Sequence, residues 1–470
     1  MRAGRSPNRG DRTRMNLWEL SAAELAAGYA GATFSPREAL ESILSRIEAV
    51  NPRLNAIVTL DIGGARAAAD TSSARWRAGA PLGPFDGVPL TVKDNIPVRG
   101  LRATWGSRIY ADFVPEKDEL PVRKLREGGA VILGKTNCPE FTLQGYTDNL
   151  VFGVTRNPWD PALTPGGSSG GAVAAVAAGL GPVAVGTDGG GSIRRPAAHT
   201  GLVGFKPSRD AVARSDGFPV ILLDCEVIGP IARTVADARA LFHALAGTKP
   251  SPPSQPSQHR ILYVAQFGGS PVDLDIARSV AAAAKDLGAL GHVVDEGEAP
   301  FDIEALNRAW PVISQVGLAW LLRDYAGRLD EISPPMREMA RNGAALSALD
   351  YYGAVDVITK LRETMHAFFS RYDLILTPTI AALSWAAAEP FPPTIAGQPV
   401  GPRGHAVFTA FANMAGCPAI SLPGAPSGSG LPIGFHLVGA IGRDDALLDL
   451  AAAYEHLRPW AQRRPPEPAA

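Results

Sequence analysis

Two glycine-rich serine segments and one lysine carry the chemistry this sequence can perform. The first segment reads Gly166-Gly167-Ser168-Ser169-Gly170-Gly171, and the second Gly186-Thr187-Asp188-Gly189-Gly190-Gly191-Ser192-Ile193-Arg194. Upstream, Lys93 closes the apolar run Val88-Pro89-Leu90-Thr91-Val92. A serine hydroxyl becomes a nucleophile only when a base takes its proton. Acyl transfer also needs donors where the oxyanion forms. Gly189, Gly190, Gly191 and Ser192 offer successive backbone N–H groups with few steric limits, a concave nest suited to an anion. The combination points to hydrolysis.

A lysine is ordinarily a solvated surface residue. Val88, Leu90 and Val92 mark this strand as buried, and burial disfavours the charged form of an amine. To act as a base near neutral pH, Lys93 has to lose about 3 pKa units from roughly 10.4, at a cost of about 4 to 5 kcal/mol. After Ser169 the chain is small and apolar through residue 178, which reads as a helix packed on all sides with its positive N-terminal end at Ser168.

Two generic patterns are rejected. Gly129-Ala130-Val131-Ile132-Leu133-Gly134-Lys135-Thr136 matches the phosphate-loop letters, but its four variable positions are apolar, as in a buried strand. Gly166-Gly167-Ser168-Ser169-Gly170 fits a nucleophile elbow with Ser168 as the nucleophile, which demands an acid and a histidine downstream. None of the eight histidines has an evident catalytic setting. His199 and His436 read as core or surface residues.

The elements that must position these groups alternate between strand and helix, an α/β pattern. Capping boxes at Ser21/Glu24 and Ser35/Glu38 start a helical hairpin. Short strands are expected near 88–92, 130–133 and 182–185, with helices over 118–127 and 171–178. A helix begins at Thr234 and stops at Gly247, and 248–258 is a Pro/Ser/Gln-rich loop. Strand–helix alternation resumes with 261–265, 272–287, 293–294, long helices to about 371, and 374–376. Segments 418–422 and 433–438 predict a hairpin at the edge of the sheet.

Net charge is −1, from 45 basic and 46 acidic residues, so no nucleic-acid or anionic-membrane footprint appears and small neutral substrates fit best. Cys138, Cys225 and Cys417 are too few and scattered for a disulfide framework or zinc site, which favours a cytoplasmic, reducing home. No uncharged apolar run is long enough to span a membrane. Residues 1–14 hold five arginines and no apolar stretch, so 1–15 is expected as a disordered leader, with Met15 an alternative start.

The chain resembles the amidase signature family. The likeness rests on the block from Gly166 to Ser208, including Ser192-Ile193-Arg194-Arg195-Pro196-Ala197-Ala198 and Gly201-Leu202-Val203-Gly204-Phe205-Lys206-Pro207-Ser208. Also similar are Gly87-Val88-Pro89-Leu90-Thr91-Val92-Lys93-Asp94, Gly134-Lys135-Thr136-Asn137, Gly229-Pro230-Ile231-Ala232-Arg233-Thr234 and Gly416-Cys417-Pro418-Ala419-Ile420-Ser421-Leu422-Pro423. The resemblance implies the amidase signature fold, a mixed twisted sheet between helical layers. It makes Ser192 the nucleophile, Ser168 a bridging serine on a cis peptide after Gly167, and Lys93 the ultimate base, with no metal and no cofactor. One domain is expected over 16–462, with a signature core at about 60–247, a loop at 248–260, a substrate-facing half at 261–462 and a disordered tail at 463–470.

Two departures stand out: Gly189, where the family usually has a side chain, is expected to widen the acyl pocket or loosen the loop, and His436 replaces a usual glutamine. Tyr146, Trp105, Phe408 and the helices around 310–325 are candidate pocket walls. The implied activity is hydrolysis of a small carboxylic amide, aryl amide, ester or carbamate, by a monomer or homodimer. Alternatives are the glutaminase-type component of a tRNA-dependent amidotransferase and a catalytically silent binding protein of the same fold.

Overall fold

A computed structural model describes residues 16–251 and 258–467. The expected leader at 1–15, much of the loop and the last three residues of the expected tail lie outside the described residues.

Eleven strands form one mixed sheet: β1 (Ile57–Leu60), β2 (Pro89–Lys93), β3 (Val131–Thr136), β4 (Val183–Asp188), β5 (Val203–Lys206), β6 (Val227–Ala232), β7 (Arg260–Tyr263), β8 (Val293–Glu296), β9 (Leu374–Pro378), β12 (Ala419–Pro423) and β13 (Gly434–Gly439). A small separate ribbon pairs β10 (Thr394–Ile395) with β11 (Gln398–Pro399). The order across the sheet is β1-β3-β2-β4-β6-β5-β12-β13-β9-β7-β8. Pairs β2/β3, β2/β4, β7/β8 and β7/β9 are parallel and the others antiparallel.

Alternate residues of a strand face opposite sides of a sheet. Val183 and Val185 accordingly pack with Val122 and Leu241, while Ala184 between them packs with Ala172, Val173 and Ile193. Both faces are therefore covered by helices. In β2 the same alternation sends Leu90 and Val92 to the first layer, which leaves Thr91 and Lys93 on the face covered by the helix Gly170–Ala177. Every residue of that helix is buried.

Both N-terminal capping boxes form, at Ser21 and Ser35, opening helices Ala22–Ala30 and Pro36–Leu54. The phosphate-loop lookalike is the fully buried strand β3, and its Lys135 donates to the carbonyl of Ile96 at 2.7 Å. The predicted hairpin forms as β12 and β13, but inside the sheet, between β5 and β9. The edges are β1 and β8. Turn residues marked the hairpin correctly, whereas its place is set by continuous burial along β12 and β13, which only an interior strand has. In the segment expected as a disordered tail, Arg463 donates to Gly424 O, Arg464 to Glu19 O, and Glu467 pairs with Arg46.

Helix Gly170–Ala177 approaches the backbone at the end of β3 so closely that a Cβ on Gly171 would collide with Asn137 N and Ala56 O. Gly171→Ala is expected to cost about 1–3 kcal/mol by overpacking. Gly353, in the helix Ala348–Phe368, faces open space, and Gly353→Ala should stabilise by about 0.5–1 kcal/mol. Urea denaturation of the two variants checks the opposite signs.

Candidate active site

Parallel pairing of β2 with β4 brings their carboxyl ends together, the usual location of sites in such sheets. Lys93 ends β2, and Thr187-Asp188 ends β4. Lys93 Nζ lies 2.8 Å from Ser168 Oγ, 2.9 Å from Thr187 Oγ1 and 3.4 Å from the Thr187 carbonyl oxygen. A neutral amine satisfies all three, its lone pair accepting from the Ser168 hydroxyl and its two hydrogens going to Thr187. Lys93 is fully buried, and burial pulls its pKa down to about 8. Asn95 Nδ2 donates to Thr187 Oγ1 at 3.0 Å and holds that partner in place.

Ser168 follows a cis Gly167–Ser168 peptide and is fully buried. The two serine segments are stitched together by Ser169, whose N–H donates to the Ser192 carbonyl at 3.1 Å and whose Oγ donates to the Thr187 carbonyl at 3.2 Å. Of Lys93, Ser168 and Ser192, only Ser192 lines the adjoining cavity, which encloses about 740 Å³.

The loop 189–192 is shaped by a buried carboxylate. Asp188 accepts from Gly191 N at 2.7 Å, Ile193 N at 3.0 Å, Arg194 Nη2 at 2.8 Å and Asn413 Nδ2 at 2.9 Å. Burial pushes its pKa up, but Arg194 and these hydrogen bonds outweigh it and hold the carboxyl well below its ordinary range. Thr409 Oγ1 donates to Gly190 O at 2.7 Å. The Gly191 amide is thus committed to Asp188, which narrows the expected set of four oxyanion donors to Gly189, Gly190 and Ser192.

His436 is fully buried. Its Nε2 accepts from Arg194 Nη1 at 2.8 Å and its Nδ1 meets Thr377 Oγ1 at 3.2 Å. Arginine has no acceptor, so these partners require the Nδ1–H tautomer. The histidine in the glutamine's place therefore braces Arg194.

Of the expected pocket walls, Tyr146 lines the cavity, as does Trp310. Trp105 does not: it stacks on Phe218 at 4.8 Å and packs on Phe141, beside a different cavity. Phe408 does not either: it is fully buried against Phe267 at 4.9 Å. An aromatic side chain buries so much apolar area that core packing competes with a site role at every position. Gly189 does not widen the pocket, because Leu222 occupies the space, its Cδ1 2.5 Å from where a Cβ would stand. The sequence reading missed Thr187, Asn95, Asp188, Thr409 and Asn413. Thr187 and Asp188 sat inside the quoted signature, whereas nothing local marks Thr409 or Asn413.

Lys93 and Thr187 at adjoining strand ends, Ser168 in contact with the lysine, and Ser192 on the neighbouring glycine loop make up the candidate site. The family model named Amidase matches residues 38–448. The chain is 34% identical to an acylamidase of Rhodococcus erythropolis over 96% of this chain and 98% of that protein. It is 35% identical to a component of the glutamyl-tRNA(Gln) amidotransferase of Moorella thermoacetica, covering 96% and 99%. A solved bacterial aryl acylamidase of the amidase signature enzymes superposes with a TM-score of 0.85 at 30% identity, covering 94% and 97%. The chain belongs to the amidase signature family, and it is a hydrolase of carbon–nitrogen amide bonds. Among the described residues no helix is long and apolar enough to cross a membrane.

Lys93 can accept a proton only when neutral, and it loses its proton as pH rises through its lowered pKa. Amide hydrolysis should therefore rise about tenfold per pH unit at acid pH and level above about 8. A kcat/KM profile checks this. Removing the carboxylate with Asp188→Ala leaves Arg194 buried without its counter-charge and should cost about 3–5 kcal/mol, read by thermal unfolding.

Proposed function

We propose that Ser192 is the nucleophile of an amidohydrolase in which neutral Lys93 draws the proton of Ser168 while Ser168 draws that of Ser192. Ser192 Oγ then bonds to the amide carbonyl carbon, and the oxyanion is met by the amides of Gly189, Gly190 and Ser192. As the C–N bond breaks, the relay runs backwards and delivers a proton to the leaving nitrogen. Water next attacks the acyl-enzyme, giving the acid and restoring the Ser192 hydroxyl. Amides need the returned proton because an amide anion is a very poor leaving group. The observation that carries this reading is the 2.8 Å contact of Lys93 Nζ with Ser168 Oγ in a fully buried setting.

The cavity beside Ser192 includes Tyr146, Trp310, Met336, Met339 and Phe391, which suits an aryl or otherwise apolar amide and would also admit an ester or a carbamate. Glutaminase chemistry is disfavoured because one of glutamine's two charges finds no partner. Glutamine presents an α-ammonium group, and among the described residues lining this cavity there is no aspartate or glutamate, only Arg195, Arg403 and His405 as titratable groups besides Tyr146. A silent binding protein would have no need to keep a desolvated lysine. We further infer one catalytic domain over 16–462, acting as a monomer or homodimer. A cytoplasmic setting agrees with three buried free cysteines, Cys138, Cys225 and Cys417.

Purified protein should cleave an anilide and release no ammonia from glutamine, and Ser192→Ala should lose at least about a thousandfold in kcat. Lys93→Met should lose about a hundredfold or more. Anilide hydrolysis unaffected by Ser192→Ala would overturn the assignment.

A further inference from the structure

Two neighbouring arginines in the signature segment live very differently. Arg194 is fully buried and fully engaged, with Asp188, Thr409, His436 and Asn413 as partners. Arg195 is 8% exposed, yet among the described residues it forms no ion pair, and its side chain's one hydrogen bond is Nε to the Gly191 carbonyl at 3.4 Å. Its side chain lines the cavity that Ser192 opens into. A guanidinium stays protonated at neutral pH, and a buried charge without a counter-charge is costly.

A second group in the same cavity lacks partners. His405 is 2% exposed, and neither Nδ1 nor Nε2 has a hydrogen-bond partner. Its ring is fixed against Trp385 at 4.8 Å. Burial first, and then the positive charges of Arg195, His199 and Arg403, hold its pKa well below the ordinary histidine range. Both ring nitrogens are themselves buried, Nε2 against Gly145, so the neutral ring adds neither charge nor an open donor to the cavity. Arg403 stands exposed at the mouth, 5.9 Å from the centre of the Trp310 ring. With no carboxylate among the described lining residues, the cavity is electropositive although the whole chain carries −1. What a ligand meets is the local field of the cleft, which the net charge of the whole chain does not report.

We propose that Arg195 forms an anion subsite beside Ser192, and that the preferred substrates of this hydrolase are amides bearing a carboxylate. This rests on the reading of Ser192 as the nucleophile. The carboxylate would take two hydrogen bonds from the planar guanidinium fork, which gives the buried guanidinium the counter-charge it lacks. Arg195 is in the turn that follows the nucleophile and lies against the oxyanion loop, so the anion would be held within a short chain's length of the scissile bond.

The test uses matched substrates. One pair is the mono-para-nitroanilide of glutaric acid and its counterpart with an isopropyl group in place of the carboxylate. The other is an N-acyl para-aminobenzoate and the N-acyl para-isopropylaniline of the same acyl group, so that the two pairs distinguish a carboxylate on the acyl side from one on the amine side. In at least one pair the carboxylate member should win by tenfold or more in kcat/KM. That ratio should fall at least tenfold in Arg195→Gln and less in Arg195→Lys, and Arg195→Met decides the matter if Arg195→Gln does not fold. Equal or inverted preference in both pairs, or a ratio undiminished by the variants, would overturn the subsite.

Calorimetric titration of Ser192→Ala with glutarate and with para-acetamidobenzoate separates this claim from the hydrolase reading. Binding of either probe that weakens tenfold or more when Arg195→Gln is added supports the subsite even if no amide is cleaved. Absence of binding by both probes overturns it even if neutral amides are.

Discussion

An amine with no access to water is the constraint on which this structure depends. Lys93 ends a strand covered on one face by Val122 and Leu241 and on the other by a helix without a single exposed residue. Desolvation supplies the shift toward neutrality, and Thr187 offers the two acceptors a neutral amine can satisfy while leaving its lone pair for Ser168. A solvated lysine at the same place would hold its proton at neutral pH and have nothing to accept with. In the proposed relay the sheet and the buried helix are therefore part of the chemistry, since they would create the base.

Around that centre the chain keeps charge tightly partitioned. Behind the loop 189–192, Asp188 and Arg194 neutralise one another and spend their hydrogen bonds on the loop backbone, on Thr409 and on Asn413. The reach to residues 409 and 413 ties the signature segment to the C-terminal half, so the loop geometry is set by parts of the chain far apart in sequence. In front of the loop the partition is left open: among the described residues Arg195 lines the cavity without a counter-charge. An electropositive, largely apolar cleft of about 740 Å³ sits over Ser192, with Lys93 and Ser168 sealed beneath it.

Much of this is legible in the sequence, and the reasons differ from element to element. Lys93 stands out because apolar residues alternate before it, and the helix after Ser169 because its composition allows no polar face. Capping boxes at Ser21 and Ser35 place two helix starts correctly. The hairpin of β12 and β13 is announced by its turn, but a turn says nothing about neighbours, and the pair lies within the sheet and not at its edge. Trp105 and Phe408 resemble pocket walls for the same reason they make good core, and the core has them. The commitment of the Gly191 amide to Asp188 is invisible without coordinates, because a glycine run presents its donors identically until a carboxylate takes one.

The central claim is tested most directly by titrating Lys93 itself, through the resonance of its isotopically labelled Nζ in the folded protein, assigned by comparison with Lys93→Met. A midpoint near 8 that returns toward the ordinary lysine value on unfolding is the predicted result. A midpoint near 10.5, the unperturbed value, would mean the amine is charged throughout the working range and would contradict the account.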